Sequence, residues 1–431
     1  MRLRDTANHL FMTGLKALLP ETVLLQEDTL VIQDTQYRLR PGQKIYLFGS
    51  GKAAIPMART MEDILGDRLV GGTVVSNSLD TAGGPVQVRV LQGAHPVPDD
   101  KSLVAGDTLL REITLLDRDN FFIYLLSGGS SALVEKPAYP VNLAEMQTTT
   151  RLLLEHNVTI GEVNTVRKHL SAIKGGGLGA AVAAGGAVLV ISDVVNDDLE
   201  TIGSAPLYFD STTFDAARTI LMRADLWERI PSAVRHRIEQ GAAGKIAETP
   251  KRENNRIRHF LVGSNRRALD TIIQEAAALG YIARIMTAGL EGEAREVAKV
   301  LIAMAREVAA HHTPFHPPAC LLFGGETTVQ VRGNGRGGRN QELALAALKA
   351  LGNHDNIVLL SAGTAGIDGN SEAAGAMADA AGYQAARQQG LAIDTYLDRN
   401  DANGFFQATG GLVITGPTGT NVMDIVIILV K

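Results

Sequence analysis

Residues 121–131, FFIYLLSGGSS, join an unbroken apolar run to a cluster of serine and glycine, and the same pattern recurs along the chain. KIYLFGSGK begins at Lys44, AVLVISDV at Ala187, FLVGSN at Phe260, ACLLFGGETT at Ala319, NIVLLSAGT at Asn356 and GGLVITGPTGT at Gly410. Continuous apolar runs of this length fit strands buried on both faces of a parallel or mixed sheet. Between them lie alanine-rich segments with helical periodicity, at 53–65, 266–279, 291–312 and 340–351. Strand alternating with helix predicts an α/β fold of layered sheets with flanking helices.

A chain of 431 residues exceeds one ordinary core, and 45% hydrophobic residues can fill two. The polar stretch 241–255, GAAGKIAETPKRENN, is the best junction, giving domains 1–245 and 255–431. A net charge of −5 offers no global attraction to nucleic acid or to an anionic membrane, so any cationic site must be local. The single cysteine, Cys320, cannot form an intramolecular disulfide, and a reducing cytoplasm is the simplest setting. Near the start, Asp5, Asn8, His9 and Lys16 interrupt any signal-peptide core, while Ala7, Leu10, Phe11, Leu15 and Leu18 recur at the spacing of an amphipathic helix. The apolar stretch 180–191 is too short and too glycine-broken to cross a bilayer, so no membrane span is expected.

In open α/β sheets, anions sit where strand ends meet helix starts, because exposed amides and the helix dipole favour them there. Gly49-Ser50-Gly51-Lys52 is such a junction with a point charge added; it lacks the P-loop spacing, and a plain glycine turn with a solvated lysine explains it too. Ser127-Gly128-Gly129-Ser130-Ser131 can form a backbone nest for phosphate or carboxylate, or a serine-capped turn. Arg167, Lys168 and Lys174 stand near three glycines, where they could clamp an acidic substrate or make a solvated basic face. Asp193, with Asp197 and Asp198 after it, offers the hard oxygen ligands that Mg²⁺ prefers, or helix caps. Gly324-Gly325-Glu326 and then Gly337-Gly338-Arg339-Asn340 lead into a helix, and arginine among glycines at a helix start reads as an anion site. Asp368 ends another glycine loop and could bind metal or a hydroxyl, or form a local turn. His95, held between alanine and proline, could point into a cleft or bond to nearby backbone.

Taken together, FGSGKA, GAHPVPD, SGGSSAL, NTVRKHLSAIKGGGL, SDVVNDD, GGETTV, GRGGRNQELAL, SAGTAGIDG and TGPTGTNVMD resemble the glycerate 2-kinase family, whose C-terminal half is the MOFRL domain. The motifs run in order from about residue 45 to 424. The resemblance implies a Rossmann-like N-terminal domain and a MOFRL-type C-terminal one, with the active site in the cleft between them. It implies ATP- and Mg²⁺-dependent phosphorylation of D-glycerate or a related sugar acid at the 2-hydroxyl. It places the family's essential lysine on Lys52 and its essential arginine on Arg339, with Asp193 as metal ligand or base. ATP would then lie on the glycine loops with Lys174, and Mg²⁺ on Asp193, Asp197 and Asp368. The expected partners are small molecules, and a homodimer is a possible assembly.

Three positions depart from the family pattern: Asn196 and Ala205 replace glycines, and Ala365 replaces the first aspartate of the GTDG loop. The lost carboxylate leaves open a retuned nucleotide- or metabolite-binding protein. An old family label leaves open an NAD(P)H-dependent hydroxypyruvate reductase, although the GxGxxG fingerprint and its acidic ribose partner are missing.

Overall fold

The structure, a computed structural model, describes residues 2–18, 23–79 and 84–431. It is α/β throughout, and the chain forms two compact units. The first comprises 20–192 and 197–262; the second comprises 1–19, 193–196 and 263–431.

The first unit opens with an antiparallel three-stranded sheet, β1 (Val23–Gln26), β2 (Thr29–Ile32) and β3 (Thr35–Arg38). Its main sheet contains β4 (Ile45–Ser50), β5 (Leu69–Ser76), β6 (Arg89–Gln92), β7 (Phe121–Leu126), β8 (Gly185–Ile191) and β9 (Ile257–Gly263), in the order β6-β5-β4-β7-β8-β9. The pairings from β6 to β8 are parallel. Every residue of β7 is buried, as its unbroken apolar sequence requires when helices cover both faces. A separate apolar cluster containing Val166, Leu170, Phe214 and Ile238 binds together the helices 143–155, 160–170, 214–223 and 232–242.

The second unit holds β10 (Ile282–Leu290), β11 (Ala319–Gly325), β12 (Ile357–Gly363), β13 (Gly375–Ala378), β14 (Leu412–Val413) and β15 (Asp424–Val430). Their order is β10-β11-β15-β12-β13-β14, and only the β10–β11 pairing is parallel. The last strand thus lies in the interior of the sheet. Its neighbour in sequence, β14, lies at the edge, so the two strands read at the chain end exist but do not pair. The helix Arg339–Leu351 is buried along almost its whole length against this sheet, which explains its alanine-rich sequence.

The compact units divide the chain differently from the expected domains 1–245 and 255–431. The amphipathic helix Leu3–Lys16 belongs to the second unit, where Gly14 lies against Ile272 and Arg4 makes a two-pronged bond to Asp379 at 2.8 and 2.9 Å. The polar stretch 241–255 is not a free linker, because buried Asp210 holds it to the first unit. The Asp210 carboxylate accepts from Thr249 Oγ1 at 2.9 Å, its amide donates to the Pro250 carbonyl at 2.9 Å, and its own carbonyl accepts from Lys251 Nζ at 3.1 Å. Among the described residues, no helix is long and apolar enough to cross a membrane.

Candidate active site

From β4 the first unit's chain runs outward through β5 to β6, then returns to lay β7 on the other side of β4 and continues to β8 and β9. Strand order therefore reverses between β4 and β7, and open parallel sheets bind ligands beyond the strand C-termini at such a reversal. The two segments that meet there are Gly49–Lys52 and Ser127–Ser131.

They are tied together. The Lys52 amide donates to the Gly128 carbonyl at 2.9 Å, and the Ser127 amide donates to the Ser50 carbonyl at 3.1 Å. Buried Ser50 Oγ bonds both Tyr124 Oη at 2.7 Å and Ser130 Oγ at 2.5 Å, while Ser127 Oγ accepts from the Ala53 amide at 3.1 Å. Ser131 Oγ bonds Ser204 Oγ at 2.7 Å. The serine hydroxyls thus shape the loops from inside, and among the described residues no hydrogen bond engages the Gly128 and Gly129 amides. Gly51 must be glycine: its φ is 137°, and a Cβ there would stand 2.1 Å from Ser127 Oγ. The Lys52 side chain packs against Gly129, is exposed, and forms no ion pair among the described residues. Beside it lies His95, whose pKa is lowered by partial burial and then by the charge of Lys52.

In the second unit, Arg339 opens the helix Arg339–Leu351 and lines a cavity of about 450 Å³ with Glu326, Thr327, Gly337, Gly338 and Asp368. Its guanidinium donates to both oxygens of Asp424, Nε to Oδ2 at 2.5 Å and Nη2 to Oδ1 at 3.0 Å, and its Nη1 lies 2.7 Å from Glu326 Oε1. Burial opposes the charge, but the hydrogen bonds and charge of Asp424, reinforced by Glu326 and Asp368, raise the arginine pKa above its ordinary value. Asp424, the first residue of β15, was not singled out from the sequence. A lone carboxylate directly before the apolar IVIILV run was the available signal.

Asp368 caps this helix. Its Oδ1 accepts from the Asn340 amide at 3.2 Å and side chain at 3.3 Å, and its Oδ2 from the Gln341 amide at 2.9 Å and side chain at 3.0 Å. The expected metal role is displaced by this one, because four donors occupy a buried carboxylate whose pKa burial raises. Asn340 Oδ1 in turn accepts from Ser361 Oγ at 2.7 Å. Gly324 and Gly325 end β11, and a Cβ on Gly324 would meet Asn265 Oδ1 at 1.6 Å; the Asn265 amide group donates to the Asp424 carbonyl at 2.8 Å. Gly324 therefore makes room for a residue that fixes the start of β15, while Gly325 lets the chain pass close to the Leu290 backbone.

Lys174, expected to bind cofactor, is buried and ion-paired to Glu135, which is itself fully buried and also accepts from Ser171 Oγ at 2.8 Å. Lys168 is likewise spent on Asp210 at 3.2 Å. Arg167 donates to the Ser131 carbonyl at 2.9 Å and so braces the glycine loop from behind. Asp193 follows β8 by two residues, and Asp197 takes a left-handed φ of 54°. Asp198 accepts from the Glu200 amide at 3.0 Å and from Thr201 Oγ1 at 2.7 Å, a local turn.

Residues 6–239 match the family described as a domain of unknown function, DUF4147, and residues 319–424 match the MOFRL family. The glycerate 2-kinase of Pyrococcus horikoshii is 37% identical, with 100% of this chain and 98% of that protein covered. The D-glycerate 2-kinase of Thermotoga maritima is 38% identical, with 90% and 91% covered. The crystal structure of a Thermotoga maritima glycerate kinase superposes with a TM-score of 0.88 at 34% identity, covering 100% of this chain and 99% of that one. With both family domains matched in order and relatives aligned along essentially the whole chain, the protein belongs to the glycerate 2-kinase family of phosphotransferases.

Proposed function

We propose that this chain transfers the γ-phosphoryl group of ATP, with Mg²⁺, to the 2-hydroxyl of D-glycerate, giving 2-phosphoglycerate and ADP. The reversal of strand order at β4 and β7 carries this reading, because it brings to one crevice an exposed lysine and glycine amides that have no partner among the described residues. The names of the Pyrococcus and Thermotoga relatives support the choice of acceptor.

Phosphoryl transfer asks a protein mainly to position the groups and to neutralise charge on the transferred oxygens. Lys52 supplies a mobile point charge, and the Gly128 and Gly129 amides supply fixed dipoles for phosphate oxygens. Arg339 supplies a second cation, already oriented by Asp424. Glu326 occupies Arg339 Nη1, so an anion approaching that nitrogen must exchange with its carboxylate. Mg²⁺ keeps several waters and takes one or two carboxylates together with phosphate oxygens. It therefore does not require a preformed group of three ligands, which is absent among the described residues. Asp193 and Asp197 would hold it, and when bound it would neutralise phosphate charge. Asp368 is unsuited, since its oxygens are taken by the helix it caps.

ADP release with purified protein, ATP, Mg²⁺ and D-glycerate tests the proposal, with phosphorus NMR to separate 2- from 3-phosphoglycerate. No turnover of D-glycerate or any related hydroxy acid would overturn it.

A further inference from the structure

We propose that His95 is the proton acceptor for the substrate hydroxyl, an inference that rests on the kinase reading above. The imidazole is delivered to the crevice by a loop that starts far from it. β6 is the edge strand, yet residues 93–99 reach over the sheet's C-terminal end to the β7 loop. The loop is tethered on both sides. The Gly93 amide donates to the Ser76 carbonyl at 2.9 Å, and the Ala94 amide to Ser102 Oγ at 3.0 Å. Gly93 also approaches the last residue of the short helix Ser130–Leu133 so closely that a Cβ would lie 2.1 Å from the Leu133 carbonyl oxygen. At the far end, Asp99 caps the helix Asp100–Thr114 by accepting from the Lys101 and Ser102 amides at 2.9 and 3.2 Å.

This bracing brings His95 to Gly129 beside Lys52. A Cβ built on Gly129 would stand 3.1 Å from His95 Cδ2 and 3.3 Å from Lys52 Cε, so ring and lysine stem flank the same glycine. Neither ring nitrogen of His95 has a hydrogen-bond partner among the described residues, and the residue is exposed. Two other histidines of the unit are committed to backbone: His156 Nδ1 to the Leu152 carbonyl at 2.8 Å, and His169 Nδ1 to the Thr165 carbonyl at 2.8 Å; His259 is pushed to a low pKa by burial. A histidine with both nitrogens open, beside the lysine of the proposed phosphate crevice, is placed to meet a reacting hydroxyl.

The charged group facing the ring is Lys52; the 127–131 loop brings no titratable side chain, and the Asp99 carboxylate is turned onto amides. Partial burial and the lysine charge both lower the pKa of His95, which keeps the ring neutral and able to accept a proton near pH 7. In the step, the hydroxyl oxygen bonds to the γ-phosphorus of the nucleoside triphosphate, and the bond from that phosphorus to the bridging oxygen breaks. Its electron pair leaves with the nucleoside diphosphate. The hydroxyl proton passes to a ring nitrogen of His95 and then to water. Nothing is oxidised or reduced.

His95→Gln keeps a hydrogen-bonding side chain of similar reach but cannot take up the proton. The expected result is a loss of about 100-fold in kcat, with ADP affinity by calorimetry unchanged within about twofold. The native enzyme should lose kcat as pH falls through a value below the ordinary imidazole pKa, and the variant should lack that acid limb. An active native enzyme whose His95→Gln variant keeps both its rate and the acid limb would overturn the proposal alone. A native enzyme releasing no ADP would overturn the kinase reading, and this proposal with it.

Discussion

Lys52 and Lys174 lie in the same compact unit, each beside glycines, and end in opposite electrostatic states. Lys52 is exposed and unpaired among the described residues, over a loop whose amides are unengaged. Lys174 is sealed inside against Glu135. Arg339 in the second unit stands between these extremes: one edge is fixed by Asp424, and its remaining nitrogen faces a half-exposed glutamate. A cation near glycines is therefore ambiguous until its carboxylates are known. An unpaired lysine can bind an incoming anion, whereas a buried pair has already used its charge to offset desolvation.

The sharpest test of this contrast removes the offered cation. Lys52→Ala should lower kcat by about 10⁴-fold with the unfolding midpoint nearly unchanged, read from ADP release and thermal melting. Near-native kcat would remove Lys52 from the mechanism. Lys174→Met should do the reverse, costing about 3 kcal/mol of stability by stranding buried Glu135, while the fraction that stays folded keeps its turnover. A pH signature accompanies it. Burial lowers the Lys174 pKa to about 8 in spite of Glu135. Because the folded pKa lies below the unfolded one, this group's contribution is most favourable above the ordinary lysine pKa and declines as pH falls toward 8. Denaturant melts of native protein and Lys174→Met across that window should show the slope in the first and not in the second.

A smaller effect is expected where the cation is half committed. Asp424→Asn retains the shape beside Arg339 but removes the opposing charge, so among the described residues the guanidinium keeps Glu326 as its ion-pair partner. A loss of about 10- to 100-fold in kcat, with KM for ATP changed less, is the outcome expected of a positioning residue. If kcat is untouched, the arginine does not depend on Asp424 for its orientation.

What the sequence displayed follows from the range of the forces involved. The buried strands, the amphipathic first helix and the strand-end loops were legible because each is set by neighbours along the chain. Strand order was not: β15 lies between β11 and β12 through pairings that reach from Gly363↔Asp424 to Ala319↔Val430, and contacts so distant along the chain leave no local pattern. The same distance hid the partners of the charged groups. Glu135 lies 39 residues before Lys174, Asp368 caps a helix that begins 29 residues earlier, and Asp424 holds an arginine 85 residues away. Residue types in a motif announced a candidate anion site, and only the fold showed which charges were already spent. The polar stretch 241–255 is pinned for a related reason, since two of its residues, Thr249 and Lys251, are partners of buried Asp210.

The departures from the family pattern divide along the same line between backbone and chemistry. Asn196 and Ala205 both take left-handed conformations, with φ of 65° and 53°, so the family's usual glycines answer a conformational demand. Asparagine tolerates that region better than alanine. At buried Ala205 the strain of about 1–2 kcal/mol is offset by the methyl it buries, about 0.8 kcal/mol, and by the lower entropy of its unfolded chain. Ala205→Gly and Asn196→Gly should therefore change stability by no more than about 1 kcal/mol and leave kcat within about twofold. Ala365 is not among the residues with positive φ, so its loss of a carboxylate has no such backbone account. If Ala205→Gly altered turnover strongly while stability stayed level, that turn would belong to the reaction, and the loop tied to Ser131 through Ser204 would have to be counted with the crevice of Lys52.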